Sequence, residues 1–182
     1  EDHPKRCQLQ ITSSIQHERP NIELHLGLAP TKNMDRMEWF LEKATEIGLS
    51  KLTFLKCDHN ERGQLKLDRL EKIAISAMKQ SNALYLPKLN PVISFKEFVK
   101  QKKEGLQLIA HCEETDKKTL KAVLEPNTDV TLLIGPEGDF SEKEIVLALA
   151  QNYIPVTLGT TRLRTETAAV VACHSVVFFN EN

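Results

Sequence analysis

From Met34 onward, short apolar runs alternate with amphipathic segments that open on a capping residue and close on glycine or proline. Helices with one apolar stripe and strands with apolar faces must bury them against each other, so the alternation predicts an α/β domain. In "NMDRMEWFLEKATEIG" the residues Met37, Leu41, Ala44 and Ile47 recur at helical spacing, with Asn33 placed to cap and Gly48 to terminate. "KLTFL" reads as the next strand. Asp68 with Glu71, Ser94 with Glu97 and Ser141 with Glu144 have capping-box spacing and predict three helix starts. The first of these helices turns Leu70, Ile73, Ala74, Ala77 and Met78 inward, and the second runs to Gly105. "LQLIAH", "VTLLIG" and "IPVTLG" read as strands, "DKKTLKAVLE" as a helix closed by Pro126, and the apolar "TETAAVVACHSVVFF" as a buried helix. Before Met34 the pattern changes: "RCQLQITSSI" and "NIELHLGL" are strand-like with no helix between them, which suggests the end of a separate small β domain.

At 182 residues the chain can form one substantial core or one domain with a fragment of another. No apolar run approaches the ~20 residues needed to cross a bilayer, so no membrane partner is expected. Cys7, Cys57, Cys112 and Cys173 are scattered, form no ligand cluster and predict neither a metal site nor a disulfide framework. Reduced thiols of this kind fit a cytoplasmic protein. Lys plus Arg number 24 against 25 Asp plus Glu, so any nucleic acid must be held by a local basic patch rather than by net charge.

Two loops carry the chemistry. "LLIGPEGDFSEKEI" stops a buried strand on Gly135-Pro136-Glu137-Gly138 before the helix that Ser141 opens, at the strand end where open α/β sheets place ligands. It has neither the Lys-Ser/Thr of a P-loop nor the spacing of a dinucleotide fingerprint, and a tight turn without a ligand would use the same glycines. "LGTTRLRTETAAVVA" also leads from a strand end into an apolar helix. Arg162, Arg164 and Glu166 stand two apart, a spacing that shares no helix face and argues against a surface ion pair. A polar helix start, with Thr165 or Thr167 capping and Glu166 answering the dipole, explains the same residues without a ligand. If their strand ends are neighbours, the two loops would make one concave site offering backbone groups, a carboxylate and a guanidinium, an inventory suited to positioning rather than covalent catalysis.

At these stretches, and at "MDRMEWFLEKATEIG" and "ERGQLKLDRLEKIAISAMKQS", the chain resembles the ribosomal RNA small subunit methyltransferase E family of the SPOUT superfamily. The resemblance implies an α/β domain over residues 25–182 with a deep C-terminal trefoil knot, preceded at residues 1–24 by the remnant of a PUA-like β-barrel. It implies methylation of N3 of one uridine in 16S rRNA of the 30S subunit, S-adenosylmethionine as donor, no metal, and a homodimer built through the knot region and the helix Thr167 to Phe179. The donor would be held by His111, Leu133, Gly135, Pro136, Glu137, Gly138, Leu158, Gly159, Leu163, Arg164, Thr165, Thr167 and Ala168. Arg164 and Glu166 would serve catalysis, Arg164 by stabilising the uracil anion and Glu166, with Glu137, by accepting a proton or holding Arg164. Arg62, Gln80 and Ser81 match the family's RNA-contact motif, whereas Lys66, Arg69 and Lys72 read as a solvated helix face. The chain departs from the family's pattern at Thr160 and Thr161, and at "NALYLPK", which lacks the usual basic residue after Gln-Ser. Two other readings are a SPOUT enzyme acting on a tRNA ribose 2′-oxygen and a non-catalytic RNA-binding or assembly module of the same fold.

Overall fold

A computed structural model describes residues 6, 9–17, 20–60 and 65–181. Seven strands form one sheet, β1 (Leu24–Leu28), β2 (Lys51–Lys56), β3 (Lys88–Ser94), β4 (Leu106–Ala110), β5 (Lys118–Thr119), β6 (Val130–Ile134) and β7 (Ile154–Thr157). Their order is β3-β2-β1-β6-β4-β7-β5, and every pairing is parallel. A parallel sheet covered on both faces needs strands that are apolar on both sides, and all five residues of β6, Val-Thr-Leu-Leu-Ile, are buried.

The helices divide between the faces. α1 (Met34–Ile47), α2 (Leu67–Ser81), the single turn α4 (Leu120–Val123) and α6 (Thr165–Asn180) cover one side, where Leu24, Leu26, Leu28, Leu132 and Ile134 meet Phe40, Leu41 and Cys173. α3 (Phe95–Lys100) and α5 (Glu142–Ala150) cover the other, where Leu55, Ile109 and Leu133 pack with Phe98 and Ile145. Gly27 lies on this second face. A Cβ there would stand 2.7 Å from Leu133 Cδ2 and 3.0 Å from the Phe98 ring, so the glycine permits the α3 approach.

Several expectations hold at the level of single residues. Asn33 accepts a hydrogen bond from the Asp35 amide, and Gly48 closes α1 at φ 111°. Ser94 and Ser141 form complete capping boxes with Glu97 and Glu144. The third box does not form: α2 begins at Leu67 behind Lys66, with no side-chain cap, so Asp68 is already inside the first turn. α3 ends at Lys100, short of Gly105, because Lys103 Nζ folds back to cap the carbonyls of Phe98 and Gln101. The helix expected before Pro126 is one turn only, since Lys118 and Thr119 pair with Val156 and Thr157 instead.

"NIELHLGL" supplies β1, which lies between β2 and β6 in the interior of the sheet rather than in a separate β unit. "RCQLQITSSI" forms no strand among its described residues, where Leu9, Ile11 and Ile15 are 87%, 86% and 82% exposed. β3 carries no apolar alternation because it is an edge strand, where the exposed Pro91 is tolerated. No helix among the described residues is long and apolar enough to cross a membrane.

Candidate functional site

A cleft of about 720 Å³ opens at the carboxyl ends of β4, β6 and β7, the strand ends of a parallel sheet where ligands bind. One wall is Gly135-Pro136-Glu137 with Asp139 after β6, the second is His111 and Cys112 after β4, and the third runs from Thr157 to Thr165 after β7. Arg36 from α1 and Ala168 from α6 complete the lining.

The glycines of the first wall serve the turn itself. A Cβ on Gly135 would lie 3.1 Å from the Phe140 amide nitrogen and 3.2 Å from Asp139 Oδ1, and one on Gly138 would lie 3.1 Å from His59 Cβ. The loop is pinned from behind. His59 Nδ1 donates to the carbonyls of Gly138 and Asp139 at 3.1 and 3.0 Å, and Ser141 Oγ donates to Asp58 at 2.6 Å. Phe140 is buried against Phe95, with ring centroids 5.1 Å apart. Gly159 differs: its φ is 143° and a Cβ there would meet open space, so its glycine character reflects the backbone bend of the third wall.

His111 is only 7% exposed, yet neither ring nitrogen has a hydrogen-bond partner among the described residues. Burial first and Lys117 second hold its pKa below the ordinary histidine range, so the ring is neutral at neutral pH, with one nitrogen able to donate and the other to accept. A buried, unpartnered imidazole on a cavity wall is what a ligand's polar group would satisfy. Lys117 Nζ shapes this wall by donating to the carbonyls of His111 and Glu113 at 3.0 and 2.7 Å.

Arg164 caps α6 through its backbone, its carbonyl accepting the Ala168 amide at 2.7 Å, and no side-chain cap is made. The expected caps, Thr165 and Thr167, lie inside the first turn. The Arg164 side chain lines the cleft with no ion pair among the described residues. Glu166 is buried and pairs with Arg36, Nε to Oε1 3.6 Å, rather than with Arg164, and its Oε2 has no partner among the described residues. Glu137 Oε1 accepts the Lys32 amide at 3.3 Å, so it too is turned to another partner than Arg164.

Thus His111, Gly135, Pro136, Glu137, Leu158, Gly159, Leu163, Arg164, Thr165 and Ala168 come together around one cavity. Leu133 does not: its side chain is fully buried on the α3 face of the sheet. Gly138, Glu166 and Thr167 stand behind the lining. Gln80 and Ser81 end α2 away from the cleft lining, and Ser81 Oγ donates to the Ala77 carbonyl of its own helix. Arg62 lies outside the described residues. Sequence reasoning assigned no role in the site to Arg36, Cys112, Lys117 or Asp139. Arg36 stands within the "MDRMEW" stretch that carried the resemblance, but only the fold brings α1 to the cleft.

The RNA methyltransferase domain family matches residues 17–177. The ribosomal RNA small subunit methyltransferase E of Buchnera aphidicola subsp. Acyrthosiphon pisum is 34% identical over 158 residues, 83% of this chain. The chain belongs to the ribosomal RNA small subunit methyltransferase E family. It spans 61% of the length of that Buchnera relative. Among solved structures, a probable rRNA-methyltransferase from Porphyromonas gingivalis superposes with a TM-score of 0.85 at 40% identity, covering 91% of this chain and 72% of that one. A family member from Neisseria gonorrhoeae, solved bound to S-adenosyl methionine, gives 0.79 at 28% identity, covering 87% of this chain and 67% of that one. The three-layer α/β architecture is therefore the family's own.

Proposed function

We propose that this chain is the methyl-transferring part of an rRNA methyltransferase that modifies N3 of a uridine in 16S rRNA, with S-adenosylmethionine as donor. The observation that carries the reading is the cleft in which a buried His111 and Arg164, neither with a side-chain partner among the described residues, line the same cavity. The first fits the donor, and the second fits the uracil anion that receives the methyl group. The neutral His111 ring offers a donor and an acceptor to a polar ligand, and the loops after β6 and β7 line the same cleft. The cavity also falls in the usual range for small-molecule sites, roughly 300–1,000 Å³.

The donor supplies a methyl carbon already activated by a sulfonium. The chain's residues then hold and orient, a contribution worth up to about 7–11 kcal/mol in ideal cases. Uracil N3 becomes nucleophilic only after losing its proton, which passes to the Glu137 carboxylate on the cleft wall, and the Arg164 guanidinium stabilises the resulting anion. Glu166, held by Arg36, fixes the start of α6 and with it the backbone that carries Arg164. Gln80, Ser81 and Arg62 are assigned to RNA.

The same reading takes residues 1–24 as the remnant of a PUA-like barrel and residues 25–182 as a knotted methyltransferase domain, acting in the cytoplasm as a homodimer through the knot region and α6. An apolar outer surface on α6 supports the dimer: Phe178 is 65% exposed and stacks on His174.

The test is transfer of labelled methyl to 16S rRNA, supplied naked and within 30S subunits. The wild-type chain is expected to transfer label to one of the two forms. Arg164→Ala is expected to lower the rate about 10²-fold or more while leaving donor affinity within about threefold. A rate within about threefold of wild type would remove Arg164 from the mechanism.

A further inference from the structure

Asp139 occupies a costly conformation for a residue with a side chain. Its φ is +64°, in the left-handed region that glycine tolerates and aspartate adopts only with local compensation. The compensation is visible. Oδ1 accepts the Phe140 amide at 2.8 Å, and Oδ2 accepts the Cys112 amide at 2.6 Å. The first bond is local, but the second crosses from the loop after β6 to the loop after β4. Behind it, the Asp139 amide donates to the Pro136 carbonyl at 2.9 Å, and the Asp139 carbonyl accepts from His59 at 3.0 Å. One half-buried carboxylate therefore joins two walls of the cleft, and it meets the second wall at the residue next to His111. Backbone amides bonded to a carboxylate form charge-assisted hydrogen bonds, about twice as strong as neutral ones.

We propose that Asp139 is a positioning residue that locks the wall after β6 to the wall after β4 and thereby fixes the place of His111 in the cleft. The inference rests on the functional reading above only for its ligand. Asp139 need not touch that ligand, since it acts through the spacing of the walls. The neighbouring carboxylate also contributes, after desolvation, to raising the Cys112 thiol pKa, as its closeness requires.

Two variants test it. Asp139→Gly removes both bonds but suits the left-handed backbone, so the loop keeps its fold. Asp139→Asn keeps the left-handed preference and one acceptor oxygen, and so retains one of the two bonds. For Asp139→Gly the KM for S-adenosylmethionine is expected to rise about tenfold with kcat within about threefold, and Asp139→Asn should fall between it and wild type. Hydrogen exchange, which needs no ligand, should show faster exchange at the Cys112 amide in Asp139→Gly. A donor KM within about twofold of wild type in the glycine variant would overturn the proposal. If the wild-type chain binds no donor, the functional reading fails. The proposal then stands on exchange alone, and an unchanged Cys112 amide in Asp139→Gly overturns it.

Discussion

His25 shows how a half-buried polar residue is tolerated inside a parallel sheet. Asn90 donates to Thr53 Oγ1 at 2.8 Å, the same hydroxyl bonds His25 Nε2 at 2.7 Å, and the ring packs edge-on against Phe98 at 5.1 Å. The imidazole is neutral. Burial first, then Lys51 and other lysines, lower its pKa to about 3. Between that value and about 6.5 the unfolded chain binds a proton that the native chain does not, so stability rises with pH across this window and is lost on acidification. The loss is on the order of 3–5 kcal/mol, and urea titrations from pH 7 to pH 4 should show it shrinking in His25→Asn. Gly27→Ala, one position from Leu26 on the opposite face, should destabilise by about 1–3 kcal/mol, because Leu133 and Phe98 leave no room for its Cβ. At this scale the sequence was uneven as a guide. Glycine and arginine are visible as types, but whether Gly135 faces a ligand or Phe140, and whether Glu166 meets Arg164 or Arg36, depends on contacts between residues far apart in the chain.

Elements were more legible than contacts. Capping chemistry is local, so Asn33, Ser94 and Ser141 announce α1, α3 and α5 within one turn of their own sequence. β3 is different. Its edge position relaxes the demand for apolar alternation, so no period-2 pattern marks the strand that pairs with β2. The helix expected over "DKKTLKAVLE" shrinks for a different reason: its first part yields at Lys118 and Thr119 to pairing with β7 and leaves one turn at α4, a tertiary effect that propensity does not contain. Ser141 joins two functions at one element, capping α5 and donating to Asp58 from the turn after β2. Ser141→Ala is expected to cost about 1–2 kcal/mol in urea unfolding, more than an average cap, because both bonds are lost. A cost below about 0.3 kcal/mol would mean that neither the cap nor the Asp58 contact stabilises the fold.

For the whole molecule, alternation identifies the α/β class because every helix and strand must find an apolar partner. It does not give strand order, and β1 illustrates the gap: its alternation looks like a half-exposed strand, yet it lies in the interior of the sheet with a polar His25–Thr53–Asn90 row on one face. The cleft follows from order, since β4 separates β6 from β7 and brings the loops after all three to one rim. The outer surface of α6 makes a prediction about assembly. Sedimentation equilibrium should give a dimer, shifted toward monomer by Phe178→Glu, and a wild-type monomer at tens of micromolar would argue against the α6 interface.

The central claim concerns the atom that receives the methyl group. After reaction with 16S rRNA or 30S subunits, the modified nucleotide should be mapped by reverse transcription and by mass spectrometry of the digested RNA. Methylation at uracil N3 blocks the pairing edge, so the account predicts a reverse-transcription stop at one uridine and a base that carries the added methyl mass. A methyl mass on the ribose, with resistance of the adjacent phosphodiester to alkali, would contradict it.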